Sequence, residues 1–182
     1  MRGLILALCL LPTLAFGQAP ADKKAALDKM LDALRTAPNE QMAAMMEDRI
    51  RHAWLEAGTP AVTLLMSRGL RELNAGAAPE AVDVFGDAIV LDPTLAEAWH
   101  QRGIARFRGG DTAGAVRDLQ ETLKLEPRHF AAWQTLVQIA EAREDWKAAH
   151  DAWRHVLAID PRTPHGEERL KDLKRKAFGD DA

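Results

Sequence analysis

Apolar residues recur every three or four positions along most of the chain, which is the spacing of amphipathic α-helices. Leu27, Met30 and Leu34 form the first such stripe, and no segment reads convincingly as a strand. Capping and helix-breaking residues separate the stripes, among them Thr59-Pro60. The pattern predicts helices at about 23–35, 40–57, 60–74, 79–91, 95–108, 112–125, 129–143, 146–159 and 164–177. We therefore expect an all-α fold.

Three prolines stand 34 residues apart, each directly after an acidic residue. Ala81, Ala115 and Ala149 keep the same spacing. A fixed period of this length indicates stacked helix–turn–helix units, each of which buries its apolar face against its neighbours. The three acidic–proline pairs are Asp92-Pro93, Glu126-Pro127 and Asp160-Pro161.

This periodic segment resembles the tetratricopeptide repeat (TPR) family, whose pattern has a large aromatic at position 4, Gly at 8, Ala at 20, an aromatic at 24, a small residue at 27 and Pro at 32. The first unit has Leu65, Gly69, Ala81, Phe85, Ala88 and Pro93 in these places. The second has Trp99, Gly103, Ala115, Leu119, Thr122 and Pro127, and the third has Trp133, Val137, Ala149, Trp153, Val156 and Pro161. Val137 for Gly and Thr122 for Ala are the main departures.

The resemblance implies an all-α, right-handed solenoid of helix pairs that serves as a binding scaffold. We expect a signal peptide at 1–19, N-terminal capping helices at 20–58, and three repeats within 59–163 (about 62–95, 96–129 and 130–163). A C-terminal capping helix and tail would occupy 164–182. The capping helices are expected because the open apolar ends of a solenoid must be covered for solubility.

Residues 1–19 have the features of a cleavable signal peptide: Arg2, an apolar run at 4–14, and small residues around the cleavage site. We expect cleavage after Gly17 or Ala19 and a periplasmic or secreted mature protein. The apolar run is too short for a comfortable membrane anchor. Leu8 before Cys9 argues against lipid attachment. The mature chain would then contain no cysteine.

Composition narrows the classes of partner. The net charge is −3 and the sequence pI is about 6.1, and tyrosine is absent. These values give no basic or aromatic surface for nucleic acid. A basic last helix is expected to be the polar outside of the C-terminal cap, with a phosphate or membrane contact as the alternative. We expect no nucleic acid, no stable membrane insertion after signal cleavage, and a possible homo-oligomer.

The resemblance implies that the first helix of each repeat lines a concave groove, which would bind a protein or peptide partner. An alternative is that Met66, Leu70 and Leu73 are core residues under the N-terminal helices. The basic clamp with which some TPR proteins hold a C-terminal carboxylate is missing, because its positions hold Met66, Leu70, Gln101, Ala131 and Thr135. The expected groove residues are Met66, Leu70, Leu73, Glu97, His100, Ile104, Phe107, Arg108, Gln134, Gln138 and Glu141.

Two arginines, Arg68 and Arg102, share position 7 of their repeats. A repeated arginine could form an anion site. We favour the structural alternative, in which each arginine covers apolar surface with its stem and pairs with an acidic residue such as Asp83 or Asp118.

Metal binding and catalysis receive little support. Met42, Met45 and Met46, with Met30 and Met66, could hold Cu(I) through soft thioethers, but their spacing is that of an ordinary helix stripe. The histidines are scattered, and Ser67, the only serine, has no histidine at a reachable helical offset. We therefore expect no metal site, no cofactor and no enzymatic activity.

The function expected from the sequence is a non-catalytic protein–protein interaction scaffold of the bacterial cell envelope. The alternatives are a self-associating structural or assembly protein, and a periplasmic Met-rich copper-binding protein.

Overall fold

The computed structural model describes residues 20–179, with side chains from Asp22 onward. The expected signal peptide at 1–19 therefore lies outside the described residues, as do 180–182. The described part of the chain contains nine α-helices and no strand, which confirms the all-α fold. The helices are α1 Pro20–Arg35, α2 Glu40–Leu55, α3 Pro60–Asn74, α4 Ala78–Leu91, α5 Ala96–Arg108, α6 Thr112–Leu125, α7 Phe130–Ala142, α8 Trp146–Ile159 and α9 Gly166–Phe178.

Side-chain caps fix where several helices begin. Asn39, Thr59, Asp111 and Asp145 each accept a backbone N–H three residues ahead, which satisfies one of the free donors at a helix N-terminus. Asp22 lies in the first turn of α1, where a negative charge favours the helix dipole.

The last helix begins at Gly166 rather than near Pro164. The Asp160 carboxylate accepts hydrogen bonds from the Arg162 N–H and the Thr163 hydroxyl. These bonds hold residues 160–163 in a turn, and His165 then adopts a left-handed conformation with φ of 55° before the helix starts.

Helices α3/α4, α5/α6 and α7/α8 form three antiparallel pairs that stack in order. The equivalent large residues Phe85, Leu119 and Trp153 are all buried at the centre of their pairs. In the first pair, a Cβ on Gly69 would lie 2.5 Å from the Phe85 ring, so glycine is required for this close approach. The third pair has Val137 in the glycine position, and this valine is itself fully buried.

The turns inside the pairs use a left-handed residue at equivalent positions. Gly76 has φ of 81° and Gly110 has φ of 89°, whereas the third turn has Glu144 with φ of 57°. Glycine adopts this conformation without strain and a side chain does so at a cost. The third turn therefore adopts this conformation at a cost that the two glycine turns avoid.

The N-terminal pair α1–α2 packs differently from the expected cap over the open end of the stack. Its principal contacts beyond itself are with α5, α7 and α8, and Leu64 on the outer side of α3 is left 67% exposed. The correction has a physical reason: Phe130 and Ala131 of α7, together with Ile159 of α8, offer apolar surface to the stripe on α1 and α2.

The C-terminal helix α9 covers α8, as expected of a cap. Leu173 is buried against the third pair, and Trp153 Nε1 donates to the Gly166 carbonyl at 2.8 Å. Arg169, expected on a solvated basic face, instead pairs with Glu141 of α7 and lies over the Trp153 ring. Lys171 and Lys174 are exposed.

Within residues 20–179, no helix combines the length and the apolar character that a membrane crossing requires.

Candidate binding groove

The first helices of the pairs form the inner side of the stack. Helix α5 lies directly against both α3 and α7, as expected for neighbours on the concave side of a curved solenoid. Two parts of this surface differ. We call Glu97, His100, Ala131 and Gln134 the covered half, because α2 lies over it, and Leu70, Ile104, Phe107, Arg108 and Gln138 the open half.

The covered half contains a buried polar network centred on Glu97. The Glu97 carboxylate lies 2.8 Å from His129 Nε2 and 3.4 Å from His100 Nδ1, and the amide of Gln101 also donates to it. His100 Nε2 lies 3.2 Å from the Thr135 hydroxyl, which itself donates to the Ala131 carbonyl. Glu97, His100, His129 and Thr135 are all buried, so the network ties α5 firmly to α7.

Helix α2 seals this network from solvent. The Trp54 ring stacks on His129 with centroids 3.9 Å apart and planes 8° apart, and it also contacts Phe130. Arg51 Nη2 donates to Gln134 Oε1 at 2.9 Å, and the Arg51 guanidinium lies over the Phe130 ring. Helix α2 thus contacts α7 at the groove positions that the repeat pattern predicts.

Glu97, His100 and His129 are the described residues whose ligand atoms lie close enough together to suggest a metal site. The geometry does not fit one. His129 Nδ1 accepts the N–H of Ala132 as the cap of α7, so a neutral ring carries its proton on Nε2. That proton points at Glu97, and Nε2 has no lone pair for a metal ion. The cluster is a hydrogen-bond network that positions two helices.

Burial and the network shift two pKa values. Burial alone would raise the pKa of Glu97, but the charge and hydrogen bonds of His100 and His129 outweigh it and hold the pKa well below its usual range. Burial lowers the pKa of His129 to about 4, although the hydrogen bond that His129 donates to Glu97 opposes this. Glu97 is therefore ionised and His129 neutral at pH 7.

A half-buried acid, Glu47, lies where α2 meets the end of α8. Burial, followed by the neighbouring Asp160 carboxyl, raises the pKa of Glu47 to about 7, and Arg51 only partly offsets this. Its Oε1 atom is buried and has no hydrogen-bond partner among the residues that the structure describes. A protonated Glu47 can donate to Asp160, whereas an ionised Glu47 repels it.

His129 and Glu47 give opposite pH dependences. The lowered pKa of His129 means that its contribution to stability is complete above pH 6.5 and is lost as the pH falls towards 4. The raised pKa of Glu47 means that stability is lost as the pH rises from 4.5 through 7. The two effects nearly cancel between pH 4.5 and 6.5.

Glu47→Gln removes one of these two effects and keeps a hydrogen-bond donor towards Asp160. We expect the free energy of unfolding of the variant, relative to wild type, to rise by about 2 kcal/mol between pH 5 and pH 8, with solvent screening included. As the pH falls from 6.5 to 4, the free energy of unfolding of the variant itself should fall by about 3 kcal/mol, because the folded state keeps His129 neutral. Urea unfolding at a series of pH values measures both. Glu80→Gln, at an exposed site on α4, is the matched control, and parallel curves for wild type and Glu47→Gln would contradict the assignment.

The open half of the groove is accessible. Leu70, Ile104 and Phe107 are half-buried, while Arg108 and Gln138 are exposed. None of them belongs to the cluster that α1 and α2 form with α7. Arg108 Nη1 makes a long contact of 3.5 Å with the Leu73 carbonyl and otherwise faces outward. This half presents an apolar strip flanked by a cation and an amide.

The predicted groove residues therefore divide into four groups. Met66 and Leu73 are core residues in a cluster formed mainly by α3, α4 and α5, not under the N-terminal helices as the alternative expected, while Leu70 stays half-exposed. Glu97 and His100 are buried under α2, and Gln134 is engaged by Arg51. Glu141 is engaged by Arg169 of α9. The remaining residues form the open half: Leu70, Ile104, Phe107, Arg108 and Gln138.

Sequence reasoning missed four residues of this region: Arg51, Trp54, His129 and Thr135. A signal for His129 was present, because it precedes the third-repeat helix at a capping position. The Glu97–His100 pair is also separated by three residues on one helix, which places both side chains on the same face. Neither signal indicates that α2 covers the pair.

Arg102 makes the expected structural pair. Its guanidinium donates to both oxygens of Asp118 at 2.9 and 2.8 Å, and Arg106 adds a third contact at 2.9 Å. Asp118 is buried, so these arginines neutralise it instead of forming an anion site.

The methionines are distributed over different surfaces. Met66 is buried in the core of α3 and α4, Met30 and Met46 contact the cluster of α1, α2 and α7, and Met42 and Met45 are exposed. Of the three methionines in the predicted stripe of α2, Met46 packs against the core, whereas Met42 and Met45 do not.

Comparison with known proteins identifies the repeat. The chain is 27% identical over 161 residues to a TPR repeat-containing protein of Rhizobium etli, a match that covers 88% of this chain and 79% of the relative. It is 42% identical over 122 residues to tetratricopeptide repeat protein 36 of Mus musculus, covering 58% of this chain and 66% of the relative. The chain belongs to the tetratricopeptide repeat family. No protein-family model matches it.

A solved TPR structure has the same fold. The first TPR domain of Spaghetti, bound to an HSP90 peptide, is similar with a TM-score of 0.58 and 20% identity, over 63% of this chain and 90% of that domain. At this identity the likeness concerns the fold. The predicted all-α TPR solenoid is thus confirmed, while the exact boundaries of the three repeats stay predictions.

Proposed function

We propose that this TPR protein is a non-catalytic scaffold of the bacterial cell envelope that binds a protein or peptide partner in its concave groove. The observation that carries the proposal is the open half of the groove, where exposed and half-buried residues lie on α3, α5 and α7 and α5 contacts both of the other helices. The TPR domain of Spaghetti holds a peptide in its own structure, which supports this use of the fold.

The envelope location rests on the signal peptide predicted at 1–19. The bacterial relative in Rhizobium etli is consistent with a bacterial protein, although its name states no location. The mature chain, which would lack Cys9, needs no disulfide in an oxidising compartment.

The chemistry of the open half selects the partner. Leu70, Ile104 and Phe107 offer an apolar strip, and Arg108 and Gln138 offer a cation and hydrogen bonds. This surface fits a segment with apolar anchors and few charges. It does not fit a peptide held by its terminal carboxylate, because Met66, Ala131 and Thr135 occupy clamp positions and all three are buried.

Arg108→Glu with Gln138→Arg tests the site. Both side chains are exposed, so the double variant should stay folded and lose at least about tenfold in partner capture, because both polar contacts change. Cross-linking pull-down from envelope extract measures the capture. The intact mass of the exported protein shows in the same preparation whether the chain starts at Gln18 or Pro20.

Arg154→Glu, at an exposed position of α8, is the matched control and should capture as wild type does. Equal capture by wild type and the double variant would place the interface elsewhere. Recovery of only this chain, with a concentration-independent dimer in light scattering, would favour self-association.

A further inference from the structure

Helix α2 lies in the groove in the way that a bound partner would. It places Ile50 and Trp54 on one face, both buried, and these side chains pack against Phe130 and Ala131 of α7. Arg51, beside Ile50, reaches Gln134 at a groove position of the third repeat. A helix docked in a groove makes contacts of this kind: two apolar residues at i and i+4 pack into the groove, and a polar residue beside them makes a hydrogen bond.

The N-terminal pair is joined to the repeats through residues 56–59 and makes no principal contact with α3. Arg128 makes two ion pairs with α1. Its guanidinium contacts the Asp28 carboxylate and lies 3.0 Å from the Asp32 carboxylate. These groups are partly exposed, so water screens them. The apolar part of the attachment consists of Ile50 and Trp54 against α7 and of Leu55, which packs at the edge of the first-repeat core.

The fit of α2 is incomplete. Within the described residues, the two buried side-chain polar atoms without a hydrogen-bond partner are Glu47 Oε1 and Trp54 Nε1, and both belong to α2. A cleft of about 420 Å³ also remains beside the N-terminal pair, lined by Leu27, Met30 and Trp54 and by Leu95 next to α5. An occupant that left none of its own polar atoms unpaired and filled this space would bind the same surface better than α2 does.

We propose that the covered half of the groove is a docking site for an amphipathic partner helix, and that α1–α2 occupies the site until such a helix displaces it. The partner helix presents an aliphatic residue, an arginine and an aromatic residue at i, i+1 and i+4. The proposal rests on the proposed scaffold function and extends it. The partner's pattern is read from Ile50, Arg51 and Trp54. Residues 56–59 tether α2 to the repeats and keep it at high effective concentration beside the groove. Only a helix of matching chemistry therefore competes with α2 for the site.

A peptide of residues 39–58 tests the site in the full mature chain. The probe carries a fluorescent label, and anisotropy measures its affinity for wild type and for Arg128→Glu, which turns both ion pairs to α1 into repulsions. We expect the variant to bind the peptide about tenfold more tightly than wild type, because the site is open for a larger fraction of time. Adding Asp28→Arg and Asp32→Arg to the variant should restore the weak wild-type binding.

Two controls separate the groove from non-specific binding. The peptide with Trp54→Ala should bind about tenfold less tightly, and the peptide with Met45→Ala, a change on an exposed position of α2, should bind as the original does. Hydrogen exchange of the α2 amides shows independently whether Arg128→Glu has opened the site. If it has not, the full chain with Trp54→Ala serves as the opened form.

An opened chain that binds the peptide no more tightly than wild type overturns the proposal, as does equal binding of the Trp54→Ala peptide. A wild-type dimer that disappears in the opened variant would show that the occupant is α2 of a second copy, which also overturns it. The scaffold function is tested separately, because its Arg108 and Gln138 contacts lie in the open half and need no movement of α2.

Discussion

Glu97→Ala is expected to lower the free energy of unfolding by about 3–5 kcal/mol, because each buried donor left without its acceptor costs about 1–3 kcal/mol. The change takes the acceptor from His129, His100 and Gln101 at once. The His100 and His129 rings would stay buried without this acceptor, and a cavity would form between α5 and α7. For a protein of this size, the melting temperature should fall by about 10 °C.

Urea unfolding followed by circular dichroism measures this effect. Glu97→Gln keeps the volume and one carbonyl acceptor, so its loss should be clearly smaller than that of alanine. Glu80→Ala, at an exposed position in the first turn of α4, should change stability by less than about 0.5 kcal/mol. A loss below about 1 kcal/mol for Glu97→Ala would show that the network contributes little to the fold.

Trp54→Ala is expected to weaken the docking of α1–α2 by about 3 kcal/mol, at the lower end of the range for deleting a buried tryptophan. The variant loses the stack on His129 and the contact with Phe130. The cores of the first and third repeats, around Phe85 and Trp153, do not include Trp54, so the effect should be local.

Hydrogen exchange distinguishes a local from a global effect. Amides of α1 and α2 should exchange about 100-fold faster in Trp54→Ala, which corresponds to 3 kcal/mol, while those of α4 and α8 keep their wild-type rates. Trp54→Phe should have less than about a third of this effect, because it keeps a ring and removes an N–H that lacks a partner among the described residues. Uniformly faster exchange in all helices would contradict a separable N-terminal pair.

The amino-acid sequence alone predicts the repeat stack and most helix boundaries. The 34-residue period, the capping residues Asn39, Thr59, Asp111 and Asp145, and the glycines at 76 and 110 act within one or two turns of chain. Local interactions of this kind depend on nearby residues, so they can be read without the fold. The Arg102–Asp118 pair was also predictable, because the antiparallel partners of one repeat are set by the period.

Only the tertiary structure decided what the groove contains. An apolar stripe on α2 predicts burial but does not name the surface that receives it, and the expected cap at the end of the stack was the wrong surface. The decisive contacts join residues far apart in sequence, such as Arg51 to Gln134 and Trp54 to His129. No local pattern encodes such pairings, because they depend on which apolar surfaces of the folded stack remain uncovered and on the free energy gained by covering them.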